Sequence, residues 1–488
     1  MRPALEGHAG IPQETRLLFR GLSLLENVRV EGLMQSSERP LAKGLPTNAA
    51  SLSRLSTDQR LNRMGKVVIS LEQGYWDSTP RAYLLTFLMA IRHLMGGKQR
   101  LTQFDPQHFK DFIWRRYFAR TLPAADFDVA TSAGFRIARI PWQGMHICAT
   151  VTRKMGWPSL FPRIDTTEFD LVITETPYPA TVSKNTRLIV RYHDAIPLLM
   201  PHTISDKRWH HAFHYYALRK NVQNGGWFVC VSEATRKDLI AVFPQAEKRS
   251  LTIHNMVSHN YFNEDSNAER IPEIIKVRMN AKIKPPLDPT YIARLFEDKV
   301  IPKPLDYLLI VSTIEPRKNH LALLAAWENL RVEKFPNLKI LVVGKLGWHQ
   351  KEIVRKFRPW MERGDVFLLE DVPAADLRLL YKHARATVCP SFGEGFDFSG
   401  VEAMRCGGAV VASDIEVHRE IYADAAEYCN PYASGDVARA ITAVIDPATG
   451  RRREELVAKG ASISKRYLYD VILPKWEDFL RRETPARN

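Results

Sequence analysis

A chain of 488 residues exceeds what one hydrophobic core ordinarily supports, so two domains of roughly 150 to 300 residues are expected. Hydrophobic residues make up 45% and charged residues 25%, the balance of a globular protein, and no apolar run approaches the ~20 residues of a membrane-spanning helix. Net charge is +15, and it is unevenly spread: residues 1–295 hold 40 Lys and Arg against 26 Asp and Glu, whereas residues 296–488 hold 29 against 28. The cationic first part calls for an anionic partner, whether a phosphorylated substrate, a membrane surface or nucleic acid, against the plainer reading of a solvated surface. The scattered cysteines, Cys148, Cys230, Cys389, Cys406 and Cys429, form no C-x-x-C pair and read as reduced, buried residues of a cytoplasmic protein. The opening MRPALEGHAG lacks the apolar core of a secretory signal.

Along the chain, Gly10 permits a close backbone approach, and Leu17, Leu18, Leu22 and Leu25 follow at helical spacing. A loop feeding a helix N-terminus suits an anion. A first strand is expected at 28–33, unless the chain starts inside a longer reading frame. Residues 35–63 read as a long loop and 67–71 (VVISL) as a strand. Residues 81–95 predict a helix with a broad apolar face packed in the core. Residues 109–120 (FKDFIWRRYFAR) interleave aromatics with Lys110, Arg115, Arg116 and Arg120, which suits either a basic helix on an anionic membrane or an ordinary helix docking its aromatics. Asp126-Phe127-Asp128 has the form of a metal-binding Asp-x-Asp pair; between Ala125 and Val129 it reads as the start of a strand with two exposed acids.

Apolar runs at 170–174, 187–192, 227–231 and 251–254 then recur at the intervals of a parallel α/β sheet buried on both faces. Ligands of such sheets bind beyond the carboxyl ends of the strands, where His193 stands. His210 and His214, at i and i+4, form a possible metal pair with no glutamate between them. The proline-rich stretch 285–304 marks a domain boundary, giving units 1–295 and 296–462 and a helix in 463–488 that crosses back onto the first unit. After the expected strand 308–311, Arg317 and Lys318 are either a diphosphate clamp or a solvated basic turn. Strands follow at 339–343, 366–372 and 386–389. Beyond the last, a loop with Gly393 and Gly395 leads into a helix starting near Ser399, whose N-terminus favours an anion. Glu394 precedes that helix and Glu402 lies in it, and Ser399 to Glu402 also has the form of a capping box that would close the helix on itself.

The Glu-x7-Glu spacing of Glu394 and Glu402, followed by EAMRCGGAVVASD and ADAAEYCNP, resembles the signature of family 4 retaining glycosyltransferases. That family has the GT-B fold, two Rossmann-like α/β domains with parallel sheets facing across a cleft. The resemblance implies that Glu394 and His193 contact the donor sugar as catalytic residues. It implies donor-phosphate contacts at Gly10, Arg317, Lys318, Phe396, Asp397 and Phe398, and nucleotide contacts at Glu402, Thr313, Gly344, Lys345 and Val372. From the likeness of Val231-Ser232-Glu233-Ala234-Thr235 to the family's V-S-x-x-T segment, it also implies a helix capped by Ser232. Asp397-Phe398-Ser399 replaces the family's usual Gly-Leu-Pro, putting an acid beside the expected diphosphate. The implied activity is hexose transfer from a nucleotide-diphosphate sugar, GDP-mannose being one candidate, to a glycan or lipid-linked glycan in surface polysaccharide synthesis. It would act at the inner face of an anionic membrane, without cofactor or metal. The alternatives are a metal-dependent transferase using Asp126 and Asp128, a GT-B-shaped nucleotide-sugar epimerase, and a nucleic-acid-binding protein, for which no recognised basic motif is present.

Overall fold

The computed structural model describes residues 1–5, 7, 10–72, 79–157, 159–204, 207–279 and 305–484. Runs of aliphatic residues without polar alternation form strands that must be covered on both faces. Four of them, Leu171–Thr174, Arg187–Tyr192, Trp227–Cys230 and Ser250–Thr252, pair in parallel in chain order. Nearer the N-terminus, Glu31–Met34 pairs in parallel with Gly134–Ile137, whose other edge takes Thr102–Phe104 antiparallel.

The second unit is a six-stranded, wholly parallel sheet. Its spatial order is Val366–Leu369, Lys339–Val343, Tyr307–Val311, Ala386–Cys389, Val410–Ser413 and Ala426–Cys429. Counted along the chain this is 3-2-1-4-5-6, the doubly wound arrangement of Rossmann-like domains. Side-chain alternation divides the core accordingly. Leu309, Leu341 and Val343 face the helix Phe398–Arg405 through Val401 and Met404. Leu308, Ile310 and Ile340 face Trp327, Phe357 and Ile441 on the opposite side. The expected boundary at 285–304 lies outside the described residues. Ahead of it, helix Ile271–Arg278 already packs Ile271, Ile274 and Ile275 into the second unit's core.

Several local expectations change. Residues 67–71 lie in the helix Thr57–Glu72, because Met64, Val67 and Leu71 recur at helical spacing and are buried together. The 35–63 region holds the short helix Ala49–Ser53 as well as the start of that longer one. The 109–120 stretch forms the turn Lys110–Ile113 and the π-helical turn Trp114–Phe118. It docks its aromatics: Ile113, Tyr117 and Phe118 are buried, Arg115 pairs with Asp111 at 3.0 Å and Arg116 with Glu72 at 3.4 Å. Asp126 and Asp128 start no strand; they straddle the beginning of the helix Phe127–Ser132, with Asp126 buried against Arg20 at 3.0 Å and Asp128 exposed beside Lys110 at 3.6 Å.

The final helix, Tyr469–Glu483, places Ile472, Trp476, Phe479 and Leu480 in the core of the first unit with Ile189 and Val229. Trp476 is fully buried, and truncating a buried Trp to Ala costs about 3–5 kcal/mol. Trp476→Ala should therefore lower the midpoint of chemical unfolding by that equivalent; a variant as stable as the parent would mean that the returning helix contributes nothing to the first unit.

Candidate active site

The six-stranded sheet reverses direction of winding between Tyr307–Val311 and Ala386–Cys389, and ligands of doubly wound sheets bind at such a switch point. The chain leaving those two strand ends lines a cleft of about 700 Å³ together with segments of the first unit. Every residue predicted for the site borders this cleft. Gly10 and His193 come from the first unit, Thr313, Arg317, Lys318, Gly344, Lys345 and Val372 from the near strand ends, and Glu394, Phe396, Asp397, Phe398 and Glu402 from the loop and helix beyond Cys389.

Glu394 is held by two cations. Lys318 Nζ lies 2.5 Å from Oε1 and Arg317 Nη1 lies 2.9 Å from Oε2. Burial pushes this carboxyl up, but the charges of Arg317 and Lys318 overcome that and hold it below the usual value. Arg317 also donates to the Gly393 carbonyl at 2.5 Å and pairs with Glu315 at 2.8 Å, so its guanidinium fork is taken up in orienting the loop. Between Lys318 and the helix His320–Glu333 stands Asn319 in the left-handed region, φ 58°, donating to the carbonyls of Pro390 and Pro431 at 3.0 and 2.8 Å. Gly344 is obligatory, since a Cβ there would lie 1.9 Å from the Ser312 carbonyl oxygen.

The two remaining acids of the loop are held differently. Asp397, at φ 64°, is the N-cap of Phe398–Arg405 and accepts from Ser399 N at 3.3 Å and Ser399 Oγ at 2.6 Å. Its other oxygen lies 3.2 Å from His418 Nε2. Burial opposes ionisation, but the adjacent His418 ring and the Lys318 charge bring its carboxyl well below the usual range. Its charge is thereby engaged by partners other than an expected diphosphate. Glu402 does not close a capping box. It accepts from Gln13 Nε2 at 2.9 Å and from Tyr381 Oη at 3.0 Å, and burial raises its carboxyl to about 7 although both hydrogen bonds lower it.

Gln13 belongs to the helix Gly10–Ser23, whose N-terminus thus meets that of Phe398–Arg405 at the cleft; a Cβ on Gly10 would touch the Phe398 ring at 3.3 Å. Two helix N-termini facing one space reinforce each other as an anion site. His193 follows its strand as expected, and its Nε2 lies 2.9 Å from Glu175 Oε2. Glu175 stands just beyond Leu171–Thr174, so the rule of strand carboxyl ends applied to that strand would have found it. Beneath them Arg191 and Glu14 form a wholly buried ion pair at 2.9 Å, with Arg191 also donating to Asn255 at 2.7 Å. No local pattern signals Gln13, Tyr381 or Glu14, whose partners lie far away in sequence. Ser232 caps Glu233–Val242 as read, accepting from Thr235 N.

Among the described residues no group of three or more His, Cys, Asp or Glu stands where it would hold a metal ion. His214 Nε2 lies 3.4 Å from Tyr192 Oη, and its ring is kept neutral to about pH 3 by burial and then by His210 and His211. His210 stacks edge-on to Trp348, centroids 6.1 Å apart. Asp126 and Asp128 point to separate cations and neither borders the cleft.

Two parallel α/β units around a cleft, with the site at the second sheet's switch point, define the GT-B class. Residues 292–461, the part of the chain that carries Glu394 and Glu402, match the family described as glycosyl transferases group 1. It is 26% identical over 254 residues to O-antigen chain mannosyltransferase B of Escherichia coli, covering 52% of this chain and 60% of that protein. Over 135 residues it is 36% identical to the serotype-specific mannosyltransferase WbdA of Escherichia coli, covering 27% of this chain and 16% of that one. The chain thus spans less than two thirds of these relatives. A sucrose-phosphate synthase from Thermosynechococcus elongatus superposes with a TM-score of 0.50 at 16% identity, over 71% of this chain and 83% of that one, and shares the fold.

Glu402 generates a pH prediction. Its folded value of about 7 exceeds the ordinary glutamate value of 4.5, so between those values the unfolded chain loses a proton that the folded protein keeps, and stability falls as pH rises. The loss is complete above about pH 7 and on the order of 3 kcal/mol. Glu402→Gln, which mimics the neutral acid by accepting from Gln13 Nε2 through its oxygen and donating from its amide nitrogen to Tyr381 Oη, should unfold like the parent at pH 4 and increasingly later than it towards pH 8. Parallel melting-temperature profiles would show that Glu402 titrates in the folded protein as it does in the unfolded chain.

Proposed function

We propose that the protein is a retaining glycosyltransferase that moves a hexose from a nucleotide-diphosphate sugar, with GDP-mannose the first donor to test, to a glycan or lipid-linked glycan in surface polysaccharide synthesis. The observation that carries the reading is the convergence in one cleft of Glu394, Lys318 and His193 with two helix N-termini contributed by different units. The mannosyltransferase relatives, matched over part of their length, support the choice of donor and product class.

Breaking the bond between sugar and diphosphate leaves a nucleoside diphosphate whose growing charge must be neutralised. Fixed cations and helix N-termini do this without reorganising during the step. In this reading Lys318 and Lys345 face the phosphates, with the turn Phe396-Asp397-Phe398 and Gly10 bringing the backbone close. Arg317, taken up by Glu394, Glu315 and Gly393, acts by positioning Glu394. Glu394 takes hydroxyls of the donor sugar, and His193, its ring oriented by Glu175, meets the sugar from the first unit. Glu402 takes the ribose hydroxyls, and Thr313, Gly344 and Val372 border the nucleotide. The acceptor lies on the basic first unit, which fits a lipid-linked diphosphate at an anionic membrane. Retention rests on the likeness of the Glu394 to Glu402 segment to the retaining family. Since the cations supply the needed charge, the reaction is proposed to run without metal.

A panel of nucleotide sugars tests the reading through protection against thermal unfolding; no protection by any of them would overturn it, and product analysis separates transfer from epimerisation. Lys318→Ala should lower kcat/KM for the donor about 10- to 150-fold, since a charged hydrogen bond is worth about 1.5–3 kcal/mol. Unchanged kinetics would place the phosphate contacts elsewhere. Glu394→Gln should abolish transfer while the variant still melts cooperatively. Transfer should survive exhaustive EDTA treatment, and activity lost to EDTA and restored by Mn²⁺ or Mg²⁺ would replace the metal-independent reading.

A further inference from the structure

The helix Thr79–Leu94 turns its apolar stripe outward. Met89 is buried, but Leu84, Phe87, Leu88, Ile91, Leu94 and the following Met95 are exposed, Phe87 by 62% and Leu94 by 65%. Their spacing of 3, 1, 3, 3 and 1 residues is that of one continuous helix face. The neighbouring helix Trp142–Lys154 crosses it closely, since a Cβ on Gly144 would lie 2.8 Å from Thr86 Oγ1. Its C-terminal end adds Val151, Met155 and Trp157, the last 55% exposed. Scattered surface hydrophobics need no explanation, whereas a contiguous patch on two packed helices marks an interaction surface.

What covers it is indicated by charge. Residues 79–104 carry Arg81, Arg92, Lys98 and Arg100 and no acid; residues 138–164 carry Arg139, Arg153, Lys154 and Arg163 and no acid. Arg163 and Lys220 stand beside His93 near the end of the first helix, Lys98 reaches Asp165 at 3.8 Å, and Lys154 and Arg153 lie over the rings of Trp209 and Tyr216. An apolar face in a cationic setting suits the acyl and headgroup layers of an anionic bilayer. A symmetric pairing of two copies would set the same cations against each other. A helix of 16 residues is too short to span the hydrocarbon layer of roughly 30 Å and fits one lying in the interface. The helix Trp142–Lys154 runs from the cleft towards this surface: at its N-terminal end Arg2, which borders the cleft, lies over Trp142 at 4.2 Å, and His146 stacks on Phe213 of the helix that carries His210 and His214.

We propose that Thr79–Leu94 and the C-terminal end of Trp142–Lys154 form a docking surface for an anionic lipid bilayer, holding the first unit at the membrane with its cleft beside the lipid surface. The proposal deepens the membrane-linked acceptor reading and supersedes the 109–120 stretch, whose aromatics pack on the core of the first unit, as the contact.

The full chain is co-sedimented with vesicles of phosphatidylcholine alone and of phosphatidylcholine with phosphatidylglycerol. Binding is expected to the anionic vesicles only and to weaken with salt. Phe87→Asp with Leu94→Asp should lower partition at least about tenfold, whereas Val277→Asp with Val332→Asp, equal in charge on the second unit, should retain most of it. Brominated lipid should quench Trp157, and Trp157→Phe should remove that component. Equal partition into both vesicle types, no binding, or a patch variant that binds like the parent would overturn the proposal. So would a lipid-free dimer that Phe87→Asp with Leu94→Asp dissolves, which would make the face a contact between copies. Nucleotide-sugar protection measured on the same samples separates the two readings: protection without vesicle binding removes the docking surface alone, and binding without protection leaves the surface standing and removes the transferase reading.

Discussion

The Gly395 carbonyl is the acceptor on which the two units meet. Ser232 Oγ donates to it at 2.7 Å and Thr235 Oγ1 lies at 3.4 Å, while a Cβ on Gly395 would stand 1.8 Å from the His193 carbonyl oxygen. The strand end carrying His193 and the loop carrying Glu394 can approach this closely only because residue 395 has no side chain. The seam continues outward, where Glu420 of the second unit accepts from the backbone N–H groups of Glu233 and Ala234 at 2.7 and 2.9 Å and lies 2.8 Å from His254. A carboxylate from one unit thus caps a helix N-terminus of the other. The cleft owes its width and its facing residues to this join.

Three carboxyl groups border that cleft within nine residues of chain, and their surroundings drive them apart. Glu394 is kept ionised by Arg317 and Lys318, Asp397 by His418, Ser399 and Lys318, and Glu402 is pushed towards neutrality by burial with only neutral donors beside it. The separation has a physical logic, because three adjacent buried anions without cations would repel one another and any phosphate. Asp397 also has a conformational use. At φ 64° it occupies a backbone region that glycine enters freely and Asp more readily than most residues. The hydrogen bonds it accepts from Ser399, with the His418 ring 3.2 Å away, hold there a residue that replaces the glycine of the resembled family, and they keep its charge engaged.

The sequence by itself determined the parallel α/β strands, the switch-point loop and the residues that border the cleft, because these depend on short-range patterns: unbroken aliphatic runs, glycines at strand ends, and a two-glutamate spacing characteristic of a known family. It misread 67–71 as a strand because five residues are too few to separate a two-residue from a 3.6-residue period; the buried partners Met64 and Leu71 settled it. The tertiary structure alone decided which interactions those residues make. Ser399 and Glu402 have the local form of a capping box, yet Asp397 takes the cap and Glu402 turns to Gln13 and Tyr381, 389 and 21 residues away in the chain. Likewise the apolar stripe of Thr79–Leu94 reads as core, but only the packing of Trp142–Lys154 behind it shows which way the stripe faces. Periodicity specifies that a helix has an apolar side; it carries no term for what lies across from that side, which depends on segments brought together by the fold.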